Sequence, residues 1–402
     1  MNNLGVLYCY ELKKLLKRKI VWITLVVCLT GTCIFTISGV IGSYYAGNKV
    51  IDTNYNMFLT DRAYEMALDG RKIDQSLLEE MSEAYSMVPS NVEKYSQTEE
   101  YQKYARPYSA IFNFVGSTTH MTPSDIMQWL PNENDLYAKR QNMLESNWQS
   151  ENLSDGEKTF WLQKEAQLKT PYIYQITESY SILFRGITTL GILVLLSIAV
   201  CLAGVFADEH TKRTDQLILC STHGKSIAYW AKILAGISYA MSISLILSII
   251  AFGLTFAVYG TNGFTAMFQL IFAVYSYPLT VGQAVLILYG CMLVTTIIFS
   301  VFVMLLSEML HSSIATLAIT SGTLILSMIC SIPPQYRVLA QIWDWLPNAF
   351  LTPWNVFDVR LFPVFGGYLT AWQVVPIIYL LVSVGIVMVG RSIYQRYQVS
   401  GR

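Results

Sequence analysis

Between Lys232 and Glu308 the chain carries no Asp, Glu, Lys or Arg. Ordinary soluble domains hold about a quarter of their residues as charges. An apolar run of this length satisfies its backbone groups most simply as helices surrounded by lipid or protein. At ~1.5 Å per residue a single helix would far exceed the ~30 Å hydrocarbon layer, so the run has to turn. Tyr259-Gly-Thr-Asn-Gly263 and Tyr277-Pro-Leu-Thr280 supply the turns. Two spans are predicted, at about 233–258 and 281–306. The segment 264–275 between them is too short to cross and is expected in the outer interface.

The remaining uncharged runs extend the pattern. Residues 20–42 follow a basic cluster, as in a signal peptide, but the run exceeds the usual 7–15-residue signal core. It covers about 33 Å as a helix and is read as a retained first span. Further spans are expected at about 186–207, 312–332 and 374–389. Overall, 53% of residues are hydrophobic and 13% charged, as a six-span chain requires. Ahead of the first span, Leu4, Leu7, Tyr8, Leu12, Leu15 and Leu16 fall near helical spacing, with Lys13, Lys14, Lys17, Arg18 and Lys19 among them. This predicts an amphipathic helix on the membrane surface whose basic residues face anionic lipid. By the positive-inside rule that side is the cytoplasm, and Arg391, Arg396 and Arg402 place the C-terminus there too.

Residues 43–180 are polar and acidic on balance, contain no cysteine and so belong to no disulfide-built module. Helical signals dominate. Ile73, Leu77, Leu78, Met81 and Tyr85 mark one amphipathic helix, and Thr122-Pro-Ser-Asp125 and Ser154-Asp-Gly-Glu157 have the chemistry of helix starts. Residues 335–372 contain Trp343, Trp345, Trp354 and Trp372, as in an interfacial aromatic belt, with Pro347, Pro353 and Pro363 blocking a long helix. The predicted fold is an all-α polytopic membrane protein with six transmembrane helices. It comprises an N-terminal amphipathic interfacial helix at 1–19, a first transmembrane helix at 20–42, a mostly helical extracellular domain at 43–180 and the other spans within 181–402.

Several chemistries are excluded by spacing. Gly224-Lys-Ser226 looks like the end of a phosphate-binding loop, but Leu219 stands where the first glycine of that loop is required. Glu308-Met-Leu-His311 has the Glu-x-x-His spacing of di-iron helices, which need it twice with further Glu residues, and here it occurs once. Asp208-Glu209-His210 sets carboxylates beside an imidazole without a placed nucleophile. No catalytic, cofactor or metal site is therefore expected, and nothing calls for nucleic acid. The spans offer no charged relay of the kind that ion-coupled transport uses, so energy has to arrive from elsewhere. The polar island at 209–232 is the candidate for receiving it. Its Leu217, Ile218 and Leu219 suit a short helix resting on the spans and presenting polar neighbours to a soluble partner.

This island resembles the elbow of ABC exporter permeases of the type-2, or type V, class. The matching residues are Glu209, Thr214, Gln216, Leu217, Ile218, Leu219, Ser221, His223, Gly224, Lys225 and Lys232. The form DQLILCSTHGK is similar to permeases common in Gram-positive bacteria. Arg213 stands where the family has Gly, and no Pro follows Ser221. The resemblance implies a coupling helix at about 208–226, seated in a separate ATPase subunit that carries the ATP and Mg. It implies a second permease copy or a similar partner permease, a surface helix that also touches the ATPase, and a bacterial cytoplasmic membrane as the location. The expected function is export of an amphipathic, peptide or drug-like substrate by a subunit that is not itself an enzyme. A membrane sensor or immunity protein for antimicrobial peptides is the alternative. A lipid-modifying enzyme would need a catalytic cluster at one membrane face, which is not evident.

Overall fold

A computed structural model describes residues 2–46, 49–89, 95–129, 133–214, 224, 226–364 and 366–396. The chain is mostly helical. Among the described residues, five helical stretches are long and apolar enough to cross a membrane: Lys19–Val40, Glu178–Thr211, Ile227–Tyr259, Val281–Leu310 and Ala371–Arg396. A sixth exists if Ser313–Ile329 and Pro334–Asp344, bent by 118° at their junction, count as one span. Among the described residues, sheet is confined to two antiparallel hairpins, Ser43–Ala46 with Lys49–Thr53 and Phe362–Val364 with Gly367–Leu369. Strands this short do not show the alternation that reveals a strand in sequence.

The chain divides into two compact units. The first holds Met1–Phe35, Phe184–Gly253 and Ile287–Arg402. Its helices approach closely where side chains are small. A Cβ added at Gly236 would collide with the Met304 side chain, and one at Gly390 would lie 2.7 Å from the Tyr229 hydroxyl oxygen. Without a hydrophobic drive between lipid-solvated helices, such close contact supplies the association.

The helix Glu178–Leu202 breaks at Ala203 and resumes as Gly204–Thr211. The break is held from both sides. The Ser307 hydroxyl donates to the Ala203 carbonyl at 2.6 Å and accepts from the amides of Phe206 at 3.2 Å and Ala207 at 3.0 Å. Arg18 donates to the carbonyls of Cys201 at 3.4 Å and Gly204 at 3.0 Å. Backbone groups at the break thus gain partners from neighbouring elements, the condition for a tolerated break in a buried apolar helix.

Several helices run past the bounds predicted for their spans, among them the two that carry Lys232 and Glu308. Helix Ile227–Tyr259 starts ahead of the expected 233 and so contains Lys232. Helix Val281–Leu310 runs past the expected 306 and contains Glu308. Both charges are buried against partners described below, so neither ends its helix. His311 follows in the left-handed region at φ 52°, which His adopts more readily than most residues, and the Ser312 hydroxyl caps the next helix by accepting from Ala315 N at 3.3 Å. That helix stops at Ile329. After it, Pro333 and Pro334 turn the chain, and Trp343 Nε1 donates back to the Cys330 carbonyl at 2.8 Å. Short helices Pro347–Phe350 and Pro353–Val356 each open on proline, as expected from a residue that fits a first turn but not an interior.

The second unit holds Thr36–Leu183 and Leu254–Leu286. The predicted amphipathic helix is Gln75–Ser86, and Ile73, Leu77, Leu78, Met81 and Tyr85 all enter one core, where Tyr85 stacks on Phe112 at 4.0 Å. Both expected helix starts are capping boxes, Thr122 with Asp125 and Ser154 with Glu157. The segment 264–275 is anchored at one end and open at the other, with Phe264 exposed. Phe268 is completely buried, and the buried Arg140 donates to the carbonyls of Ala273 at 2.7 Å and Tyr275 at 3.1 Å while pairing with Glu165. An arginine more than a hundred residues away holds this loop, a partner that no local pattern signals. Glu65 has a buried carboxylate oxygen without a hydrogen-bond partner. Burial, reinforced by the carboxylates of Glu178 and Asp61, raises its pKa to about 7.

Candidate functional site

The N-terminal helix Asn2–Leu16 turns one face to the spans. Leu15 is buried, and the Tyr8 hydroxyl donates to Ser238 Oγ at 3.0 Å. On the same face Glu11 and Lys14, three positions apart, meet two residues of the elbow's ends. Glu209 Oε1 accepts from both Lys14 Nζ and Lys232 Nζ. Glu11 lies 3.4 Å from Lys14 Nζ and 3.3 Å from Lys232 Nζ. The Lys232 side chain is 0% exposed and that of Glu209 only 7%. Two carboxylates and two ammonium groups thus form one neutral cluster. Its Lys232 cation also lies 5.7 Å from the Phe206 ring centroid. Burial alone lowers the Lys14 pKa, but the carboxylates of Glu209 and Glu11 outweigh it and hold the ammonium above the ordinary lysine range.

Such a cluster is stable only complete. Desolvating each ion costs several kcal/mol, and the mutual attraction offsets that cost only while every charge has its partner. The consequence is positional. The surface helix, the segment Gly204–Thr211 and the first turns of Ile227–Tyr259 are obliged to keep the same relative placement. Arg18 adds a second tie, 2.9 Å from Asp208. A small pocket lined by Glu11, Lys14, Arg18 and Lys232 lies at this junction.

Of the basic residues assigned to the membrane surface, Lys13, Lys17 and Lys19 are exposed, whereas Lys14 and Arg18 turn to protein carboxylates. Among the elbow residues, Glu209 is buried. Thr214 is exposed, and its amide donates to the Glu209 carbonyl at 3.0 Å across Arg213, which has a left-handed φ of 53°. Gly224 is buried. Gln216, Leu217, Ile218, Leu219, Ser221, His223 and Lys225 lie outside the described residues, and with them most of the coupling helix expected at about 208–226.

Sequence reasoning missed Glu11. It is the only acidic residue before Asp52 and shares a face with the apolar residues of its helix, a usable signal. Sequence reasoning also set aside Glu308 and His311 for want of a second motif. In the structure the missing ligand type comes from elsewhere: His210 Nε2 lies 3.2 Å from Glu308 Oε2, and the His210 and His311 rings meet edge to face at 4.0 Å between centroids. No protein-family model matches this chain, and no curated protein matches it either.

Proposed function

We propose that the chain is the transmembrane permease subunit of an ATP-driven ABC exporter. It moves an amphipathic, peptide or drug-like substrate with energy from a separate ATPase. The observation that carries this reading is the buried Glu11–Lys14–Glu209–Lys232 cluster. It makes one mechanical piece of the elements a soluble motor would push: the surface helix, the root of the polar elbow and the start of the following span. Force delivered to the elbow at 212–226 enters the span Ile227–Tyr259 directly and reaches the surface helix through the cluster. It also reaches the break at Ala203, where Ser307 takes the place of part of the helix's own hydrogen bonding.

In this reading the termini and elbow lie in the cytoplasm of a bacterium, ATP and Mg sit on the partner, and two permease copies, identical or similar, complete the pathway. The domain at 43–180, read as extracellular, guides or guards release. The test is to co-purify the chain with the ATPase encoded beside it and measure ATP turnover. Glu209→Gln, or replacement of Leu217, Ile218 and Leu219 by Ser, is expected to leave the ATPase folded but sever assembly or substrate-stimulated turnover. Unchanged assembly together with unchanged stimulated turnover in both variants defeats the proposal.

A further inference from the structure

His210, Glu308 and His311 each offer a ligand atom, and these atoms lie within 4.8 Å of one another. Glu308 is 1% exposed. Its Oε2 faces His210 Nε2, but its Oε1 is buried with no hydrogen-bond partner among the described residues. A buried carboxylate oxygen left without a partner is costly and calls for a cation or donor beside it. Both imidazoles bring a ring nitrogen within 4.8 Å of a Glu308 carboxylate oxygen. His311 is held toward it by a left-handed backbone at the end of Val281–Leu310, a conformation that costs free energy and persists only where the surroundings impose it.

We propose that His210, Glu308 and His311 form a binding site for a divalent transition metal ion, with Zn2+ the best-fitting class. Two neutral imidazole nitrogens and one carboxylate are a borderline-soft donor set, suited to zinc and its neighbours rather than to Mg2+ or Ca2+, which prefer all-oxygen shells. Three protein ligands leave a fourth tetrahedral position for water or for a further group. The exposed His311 gives the ion its way in, while buried Glu308 anchors it. Bound metal would fasten the end of Gly204–Thr211 to the end of Val281–Leu310, next to where the polar elbow begins. The site does not depend on the exporter reading.

The test uses the full chain in detergent, carrying an affinity tag without histidine and stripped by a chelator. Zn2+ alone is titrated by calorimetry, with Mg2+ in a parallel titration, and Co2+ is added separately to read d–d absorption. The expected result is one saturable Zn2+ equivalent, no comparable Mg2+ binding, and a tetrahedral Co2+ spectrum. His311→Ala changes an exposed side chain, and an unfolding curve matching the parent's checks that the fold is kept despite the left-handed backbone at this position. The substitution is expected to weaken Zn2+ at least about 10- to 100-fold, the loss caused even by removal of an outer-shell partner. Glu308→Gln is expected to do the same, and His120→Ala to change nothing. Absence of saturable Zn2+ binding in the parent chain, or His311→Ala binding as tightly as the parent, overturns the site.

Discussion

Replacing Lys232 by Met tests the central cluster most directly. The thioether keeps the length of the apolar stem and removes only the cation. In the parent, Glu209 Oε1 sits between Lys14 and Lys232, and Glu11 bridges the same two ammonium groups. Without Lys232, two carboxylates share Lys14 alone, whose side chain is 38% exposed and therefore the weaker, more solvated partner. An uncompensated negative charge remains beside a completely buried position. Breaking a buried pair in this way costs about 3–5 kcal/mol. Glu209→Gln in the same background restores neutrality, leaving Glu11 with Lys14. The double variant is therefore expected to recover about 1–3 kcal/mol relative to the sum of the two single losses. Equilibrium unfolding in mixed micelles, followed by tryptophan fluorescence, measures all three. If the double variant costs the sum of the singles to within ~0.5 kcal/mol, the four groups do not act as a unit and the reasoning fails.

Three further outcomes follow from the same structure. Ser307→Ala strands the Ala203 carbonyl and the amides of Phe206 and Ala207, and should cost about 1–3 kcal/mol in the same unfolding measurement. Arg140→Met leaves Glu165 and the carbonyls of Ala273 and Tyr275 without their buried donor. It should destabilise the second unit by about 3–5 kcal/mol and open the loop at 267–280 to limited proteolysis. Glu65 has a folded pKa of about 7, raised above its ordinary 4.5. The folded state therefore keeps a proton that the unfolded chain has released, and stability falls as pH rises from about 4.5 through 7. Glu65→Gln should flatten the stability profile over that window, and a parallel slope in parent and variant would show that Glu65 is not its source.

What sequence alone reveals here follows from the range of the interactions. The uncharged runs locate the apolar helices because hydropathy is a local sum, and Thr122 and Ser154 mark helix starts because capping acts across three residues. The spacing of Leu77, Leu78, Met81 and Tyr85 exposes a buried face for the same reason. Lys232 and Glu308 mislead because they are met inside the fold by Glu209, Glu11 and His210, which come from other elements. A charge normally closes a predicted span, but a charge with a distant partner can be carried inside a helix. The anchoring of the loop at 264–275 is hidden for the same reason, since it depends on Arg140. At the metal-ligand triad, the pattern Glu308-x-x-His311 was legible, while the third ligand depended on where the helix resumes after Ala203.

That break also sets a scale of movement. The segment Gly204–Thr211 has 8 residues and is about 12 Å long at 1.5 Å per residue. Pivoting by roughly 10° about its Ser307-bonded start, it would sweep its far end through about 2 Å, the size of the helix shifts that accompany many switching transitions. The fulcrum at Ser307 barely moves during such a stroke. A small angular change at the base thus becomes a displacement at Thr211 large enough to exchange one set of side-chain contacts for another, without any hydrogen bond at the break being released.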